Sequence, residues 1–216
     1  MQWDVVIVGA SFAGAACALA ARRAGLRVCV LERKRDPGIR LHTTGIIVRE
    51  AAEGTALAAL PPSLVRRIDG VRLYAPNLRS LALQRNGYYF LATDTPGVMR
   101  WLAAELERAG ADLRLMQSFT DARHIDGGWQ VDGLGTCRWL VGADGAKSRV
   151  AMRAGLGRVR EFLYGVEHEF DGATLREPGR LHCFIDHALA PGYIGWAAQS
   201  PTGVQFGLAF RHRADR

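Results

Sequence analysis

Two short patterns of small and acidic residues carry the chemistry that this chain can do. The first is Gly9-Ala10-Ser11-Phe12-Ala13-Gly14, followed by Glu32, 23 positions after Gly9. The second is Gly142-Ala143-Asp144-Gly145. Glycines at the spacing of the first pattern let a backbone turn sharply and approach a pyrophosphate, and a carboxylate about 20 residues on accepts hydrogen bonds from a ribose. Together they read as a site for the ADP half of a dinucleotide, with a ribose 2′-phosphate repelled by Glu32. The middle position is Ser11, so the pattern runs G-x-S-x-x-G. Its Cβ narrows the approach, while its hydroxyl can donate to a phosphate oxygen. Asp144 has two readings: acceptor for a ligand hydroxyl, or cap of the short helix that follows it.

These residues need a βαβ frame, and the sequence supplies one. Val5 to Val8 is a short apolar run suited to a parallel strand buried on both faces. Ala13, Ala15, Ala16, Ala18, Ala20 and Ala21 favour a thin helix, whose free N–H groups face a phosphate. Arg27 to Leu31 reads as the second strand and places Glu32 at its end. Arg33 to Thr44 reads as a loop running back along the ligand, with His42 a solvated loop histidine. Residues 46–59 read as helix, stopped by Pro61-Pro62.

Val71 to Tyr74 and Leu81 to Gln84 flank a turn and read as a hairpin, with Tyr88 to Leu91 as a third strand. Pro96 opens a helix whose apolar face is Val98, Trp101, Leu102, Leu106 and Ala109, ended by Gly110. Leu113 to Met116 reads as a third parallel strand. Phe119 to Ile125, Trp129 to Val131 and Gly135 to Val141 form a β-meander joined by Asp-Gly turns. A short helix at Lys147 to Ala154 follows. Past residue 160 come strand-like runs at 162–170, 181–185, 193–198 and 204–210, which suggest an antiparallel sheet.

The chain has 216 residues, 49% of them hydrophobic, with a net charge of +7. No apolar run approaches the roughly 20 residues that span a membrane. The glycine-rich strand starts too early to leave room for a leader peptide, so a cytoplasmic protein is expected. Cys17, Cys29, Cys137 and Cys183 lack metal-type spacing and read as reduced thiols; no metal site is expected. Basic residues occur as short clusters such as Arg33-Lys34-Arg35, so nucleic acid is not an expected partner. The expected partner is a small-molecule substrate, and the sequence sets no oligomeric state.

The order Val6-Ile7-Val8-Gly9-x-Ser11-x-Ala13-Gly14, Glu32-Arg33, and Leu140-Val141-Gly142-Ala143-Asp144-Gly145-x-x-Ser148-Arg149 resembles the FAD-dependent flavoproteins of the para-hydroxybenzoate-hydroxylase type. Pro191-Gly192-Tyr193-Ile194-Gly195-Trp196 with Val204 to Ala209 is similar to the substrate-domain strands of geranylgeranyl-reductase-like members. The resemblance covers essentially the whole chain. It implies an α/β fold: a Rossmann-like FAD/NAD(P)-binding domain with a β-meander over 1–160, and part of an antiparallel-sheet substrate domain over 161–216. It implies FAD as cofactor, NAD(P)H as reductant, and an oxidoreductase, either monooxygenase or reductase, for a hydrophobic or aromatic small molecule. Glu32 would hold the adenosine ribose, Asp144 and Gly145 would contact FAD, and Arg40 and Thr44 would lie near the ribityl chain and flavin. The full cofactor-binding set expected is Gly9, Ser11, Phe12, Ala13, Gly14, Glu32, Arg33, Arg40, Thr44, Phe119, Asp144 and Gly145.

No catalytic side chain is assigned, because the cofactor carries the redox chemistry. Three features depart from the resemblance. Thr95 stands where relatives often have an arginine facing the flavin. Ala197-Ala198-Gln199 follows Trp196 in place of an aromatic and a proline. The chain also reaches Arg216 before a second Gly-Asp motif, so a fragment or a truncated member with weak FAD binding is expected. Two other readings remain at this point: a non-catalytic nucleotide-binding module, and an NAD-dependent dehydrogenase.

Overall fold

The computed structural model describes residues 1–211. In chain order the elements begin with β1 (Trp3–Val8), α1 (Phe12–Arg23), β2 (Val28–Leu31), β3 (Ile46–Val48) and α2 (Arg49–Gly54). Next are β4 (Val65–Ile68), β5 (Gly70–Tyr74), β6 (Ser80–Gln84), β7 (Phe90–Thr93), α3 (Thr95–Arg108) and β8 (Asp112–Arg114). The meander is β9 (Ala122–Ile125), β10 (Gly128–Val131) and β11 (Gly135–Gly142), followed by α4 (Arg149–Arg153). Last are β12 (Leu163–Asp171), β13 (Arg180–Phe184), β14 (Gly195–Gln199) and β15 (Gly203–Arg211). The chain divides into two compact units: Met1–Leu41 with Pro96–Arg160, and His42–Thr95 with Glu161–Arg216.

The first unit is built on a sheet of order β8-β2-β1-β11-β10-β9. β8, β2, β1 and β11 run parallel, and β10 and β9 return antiparallel. Alternation along β1 sends Val6 and Val8 to one face, where they pack with Cys29, Leu31, Phe119, Val131, Leu134, Cys137 and Val150. Val5 and Ile7 take the other face. α1 buries Gly14, Ala15, Ala18 and Leu19, while α3 buries Val98, Met99, Leu102, Ala103 and Leu106. That 3-4 spacing is the apolar stripe expected of a helix packed on a sheet. α3 ends as expected at Gly110, whose φ of +76° a side chain would resist.

The second unit holds a six-stranded sheet, β12-β15-β14-β13-β5-β6, and a three-stranded one, β3-β7-β4. Every pair in the larger sheet is antiparallel except β13 with β5. Ile68 and Ala92 of the small sheet pack with Ala198 of the large one, with Ile46, Phe90 and Leu181 around them. The buried Gln205 side chain ties the two, its Nε2 donating to the Thr93 carbonyl at 3.0 Å.

Several local expectations change. Residues 46–48 are a strand, because Ile46-Ile47-Val48 is β-branched and pairs with β7; helix starts only at Arg49. The third strand near Tyr88 begins at Phe90 and joins β3 and β4, not the β5–β6 hairpin. The parallel strand after α3 is Asp112–Arg114, and Met116 leaves it with a φ of +58°. The 161–216 sheet is mixed, since it recruits the β5–β6 hairpin. The 1–160 stretch is not one packing unit: 42–95 groups with the residues after 160.

Glycine has a steric role where β15 passes Trp196. A Cβ on Gly207 would lie 2.5 Å from Trp196 Cζ2 and 2.8 Å from the Val166 carbonyl oxygen. We expect Gly207→Ala to lower stability by about 1–3 kcal/mol through overpacking. Gly165→Ala, where the nearest atom is 3.8 Å away, is expected to be close to neutral. Thermal melts of both variants check this, and equal midpoints would contradict it.

Candidate dinucleotide site

The first pattern forms a tight corner between β1, α1 and β11. Gly9 leaves β1 with a φ of +103° and donates its N–H to the Leu31 carbonyl at 2.8 Å. Ala143 donates to the Val8 carbonyl at 2.8 Å, which brings the second pattern against the first. A Cβ on Gly9 would overlap the Ala143 carbonyl, and one on Gly14 would overlap the Gly9 carbonyl. Both glycines are therefore required by backbone-to-backbone contact. α1 starts at this corner with no acidic residue in its first turn and with Arg22 and Arg23 in its last. Its dipole is complemented at the C-terminus and left open at the N-terminus, as an anion site requires.

Ser11 is the N-cap residue of α1, but its side chain makes no cap hydrogen bond. Its hydroxyl is 3.6 Å from the thioether of Met99 on α3. Sulfur is a weak acceptor, so a phosphate oxygen would readily take this donor. Phe12 is half-buried and Ala13 exposed, both in the first turn of α1. The serine in place of glycine is thus compatible with an anion at the helix end.

Glu32 is only 6% exposed. One carboxylate oxygen accepts from the Ala10 N–H at 3.2 Å and the other from the Lys34 N–H at 2.9 Å. Glu32 therefore holds the glycine loop and its own loop together, as a buried and not a solvated carboxylate. An ionised carboxylate offers about four acceptor sites, so about two remain for the hydroxyls of a ribose. The following loop is fixed by Asp36, which accepts from Gly38 N–H at 2.8 Å and from Arg100 of α3 at 2.8–3.1 Å. The Arg100 guanidinium and the Gly38 N–H hold the Asp36 carboxyl below its ordinary value. Arg33 and Arg40 are exposed in this loop, and Arg40 has a φ of +48°.

Asp144 is committed to helix α4. Its oxygens accept from Ser148 Oγ at 2.5 Å, Arg149 N–H at 2.7 Å and Val150 N–H at 3.3 Å. The capping alternative is what this geometry shows, leaving about one acceptor site for a ligand. Gly145 beside it is exposed, with a φ of +85°. Phe119 is not a surface residue: its ring is 5% exposed and sits in the core with Val6 and Val8. Its carbonyl accepts from the Arg149 guanidinium at 3.4 Å.

Thr44 lies in the second unit, next to Gly45. Thr93 and Thr95 pack over Gly45, their hydroxyls 3.0 Å apart, and Thr93 Oγ1 donates to the Gly45 carbonyl at 2.9 Å. Gln205, 2% exposed, completes this buried polar cluster, and its Oε1 has no partner among the described residues. The cluster escaped the sequence reading, because a lone glutamine in an alternating strand carries no pattern. Among the described residues no group of three or more His, Cys, Asp or Glu is placed to hold a metal ion. Burial disfavours the thiolate, pushing the Cys29 thiol up to about 12 and the Cys137 thiol up to about 11. No helix of the described residues is long and apolar enough to cross a membrane.

The geometry agrees with what the chain is similar to. The model of the FAD dependent oxidoreductase family (DAO) matches residues 4–97, the stretch from β1 to the start of α3. Digeranylgeranylglycerophospholipid reductase 2 of Methanopyrus kandleri is 28% identical over 98% of this chain and 55% of its own length. An uncharacterized protein in the nifH2 5′ region of Methanosarcina barkeri is 30% identical over 72% of this chain and 89% of its own length. Among solved structures, a geranylgeranyl bacteriochlorophyll reductase-like protein from Thermoplasma acidophilum superposes with a TM-score of 0.83 at 18% identity. It covers 96% of this chain and 56% of that one. The chain thus spans just over half the length of the reductase and of the solved structure. The glycine corner, the buried Glu32 and the matching family model lead to one conclusion: the chain belongs to the FAD-dependent oxidoreductase family.

Proposed function

We propose that this chain binds FAD through the Gly9–Gly14 corner and serves an oxidoreductase that acts on a hydrophobic or aromatic small molecule. The observation that carries the reading is the Glu32 carboxylate. It is buried, tied to the glycine loop through Ala10, and left with acceptor capacity for a ribose. In this reading the N–H groups of Ser11, Phe12 and Ala13 and the Ser11 hydroxyl face the pyrophosphate, and Gly9 and Gly14 give it room. Asp144 orients the Gly145 backbone through its hold on α4. Arg33 and Arg40 supply positive charge along the loop, Phe119 contributes backbone only, and Thr44 serves the flavin end.

When bound, FAD supplies the electron transfer, and the side chains bind, orient and exclude water. NAD(P)H is the proposed reductant. A hydrophobic substrate is supported by the large sheet of the second unit. There Tyr74 stacks on Phe184 with centroids 4.7 Å apart, and Phe206 lies 6.1 Å from Phe184. The proposed division of labour is a cofactor unit and a substrate unit. A cytoplasmic location goes with it, supported by four free cysteines.

Titration with FAD, followed by flavin fluorescence, tests the reading. The parent chain is expected to bind, and Glu32→Ala to weaken binding by about 1–3 kcal/mol through lost charge-assisted hydrogen bonds. Glu32→Gln keeps one acceptor oxygen and is expected to fall between the two. A colourless parent protein that FAD neither quenches nor stabilises would overturn the assignment. Asp144→Asn is expected to cost about 1 kcal/mol of stability through the weakened α4 cap, whether or not FAD is present. An unchanged melting midpoint would remove Asp144 from that role.

A further inference from the structure

Ser11 stands where α1 begins, but its side chain does not do what a serine there ordinarily does. The first backbone bond of α1 runs from the Ala15 N–H to the Ser11 carbonyl at 2.9 Å. The N–H groups of Phe12, Ala13 and Gly14 precede it, so they have no carbonyl of the helix to bond. A serine at the N-cap accepts from the second or third of these amides, here Ala13 or Gly14. Ser11 has the extended backbone of an N-cap, with φ −80° and ψ −170°, yet makes no cap hydrogen bond. Ser148, the N-cap of α4, shows the ordinary behaviour: its Oγ accepts from the Ala151 N–H at 3.0 Å.

The Ser11 hydroxyl donates instead to Sδ of Met99 at 3.6 Å. Met99 is 1% exposed, on the buried stripe of α3 with Val98 and Leu102. The start of α3 is held against the loop after β2, which fixes where this sulfur lies. Arg100 bonds Asp36 at 2.8–3.1 Å, and a Cβ on Gly38 would come within 2.8 Å of the Pro96 carbonyl oxygen. A thioether accepts a proton weakly and donates none, so the hydroxyl is the group it can hold. The alternative partner matters for an anion. A cap on Ala13 or Gly14 would occupy a donor that a phosphate oxygen needs, and would set a partial negative charge at the positive end of the helix.

We propose that Met99 is a positioning residue for a diphosphate at α1: its thioether draws the Ser11 hydroxyl away from the first-turn amides and keeps them open. The inference rests on the reading of the Gly9–Gly14 corner as a pyrophosphate site. It adds how a serine at the middle position of the pattern is made compatible with that site. When the diphosphate arrives, the hydroxyl exchanges the sulfur for a charged phosphate oxygen, a stronger acceptor. Met99 therefore acts on the unliganded state. Without the thioether, Ser11 caps α1, the free protein gains the worth of the cap, and the diphosphate must displace it.

A double-mutant cycle over Ser11→Ala and Met99→Leu tests this on the full chain, by calorimetric titration with ADP and by thermal melts without ligand. Met99→Leu conserves volume, so the core keeps its packing. With Ser11 present it is expected to lower ADP affinity about fivefold, the worth of a typical N-cap. In a chain that carries Ser11→Ala it is expected to leave the affinity nearly unchanged. Comparing Met99→Leu within each background cancels whatever Ser11→Ala itself does at the phosphate. Without ligand, Ser11→Ala is expected to leave the parent melting midpoint nearly unmoved. In the Met99→Leu chain it is expected to lower the midpoint by about 2–4 °C, since only there does the hydroxyl cap α1. A packing change at Met99 moves both backgrounds alike, so dependence on the Ser11 hydroxyl is what a merely structural role does not produce. Equal effects of Met99→Leu on ADP affinity in the two backgrounds overturn the proposal. So does a Ser11→Ala substitution that lowers the parent midpoint as far as it lowers that of the Met99→Leu chain. A parent chain that binds no ADP overturns the reading of the corner instead, and the melts still decide which partner the Ser11 hydroxyl takes.

Discussion

The first unit depends on the contact between two pieces of backbone, the Gly9 turn and the Ala143 carbonyl. The Val8–Ala143 hydrogen bond aligns β1 with β11, and the Gly9–Leu31 hydrogen bond aligns it with β2. With both neighbours fixed, the chain must turn away without a side chain, and it does so at a φ of +103°. That turn sets where α1 begins and forces Gly14 under it. Every group with ligand chemistry is then referred to this corner: the α1 N–H groups directly, Glu32 through Ala10, and Asp144 as the next residue after Ala143. A glycine fingerprint is in this sense a statement about backbone contact before it is one about a ligand.

Glu32 shows how a site stays ordered before any ligand arrives. A buried carboxylate without partners is costly, and two backbone N–H groups satisfy it here. The same two bonds stitch the glycine loop to the loop after β2, whose far side is held by Asp36 and Arg100. Ser11 is the opposite case: its hydroxyl is spent on a thioether, a partner that is easily exchanged. The corner therefore combines one committed group that shapes the site with one loosely held donor.

What could be read from the sequence follows from how local each signal was. β1, α1, β2 and the meander were legible because short-range patterns fix them: an apolar run, an alanine-rich helix, Asp-Gly turns. The cap role of Asp144 was legible as one of two readings, since Ser148 and the α4 amides lie within six residues of it. β4 was missed because Arg66 and Arg67 at its centre are exposed and break its apolar pattern. β3 was hidden because three residues are too few to show a period. The parallel pairing of β5 with β13 joins residues more than a hundred positions apart, which no local pattern encodes. The same long-range pairing is why residues 42–95 group with 161–216. Phe119 was expected at the site, but its ring fills the core with Val6 and Val8.

The central claim is that the corner built on Gly9 is an ADP-binding site. The most direct measurement is the set of amide shifts in a ¹H–¹⁵N spectrum of the labelled chain as ADP alone is added. Saturable shifts are expected at Ala10, Ser11, Phe12, Ala13 and Lys34, with β12 to β15 unmoved. Saturation without movement at Ala10 to Ala13, or no response to ADP at all, would contradict it.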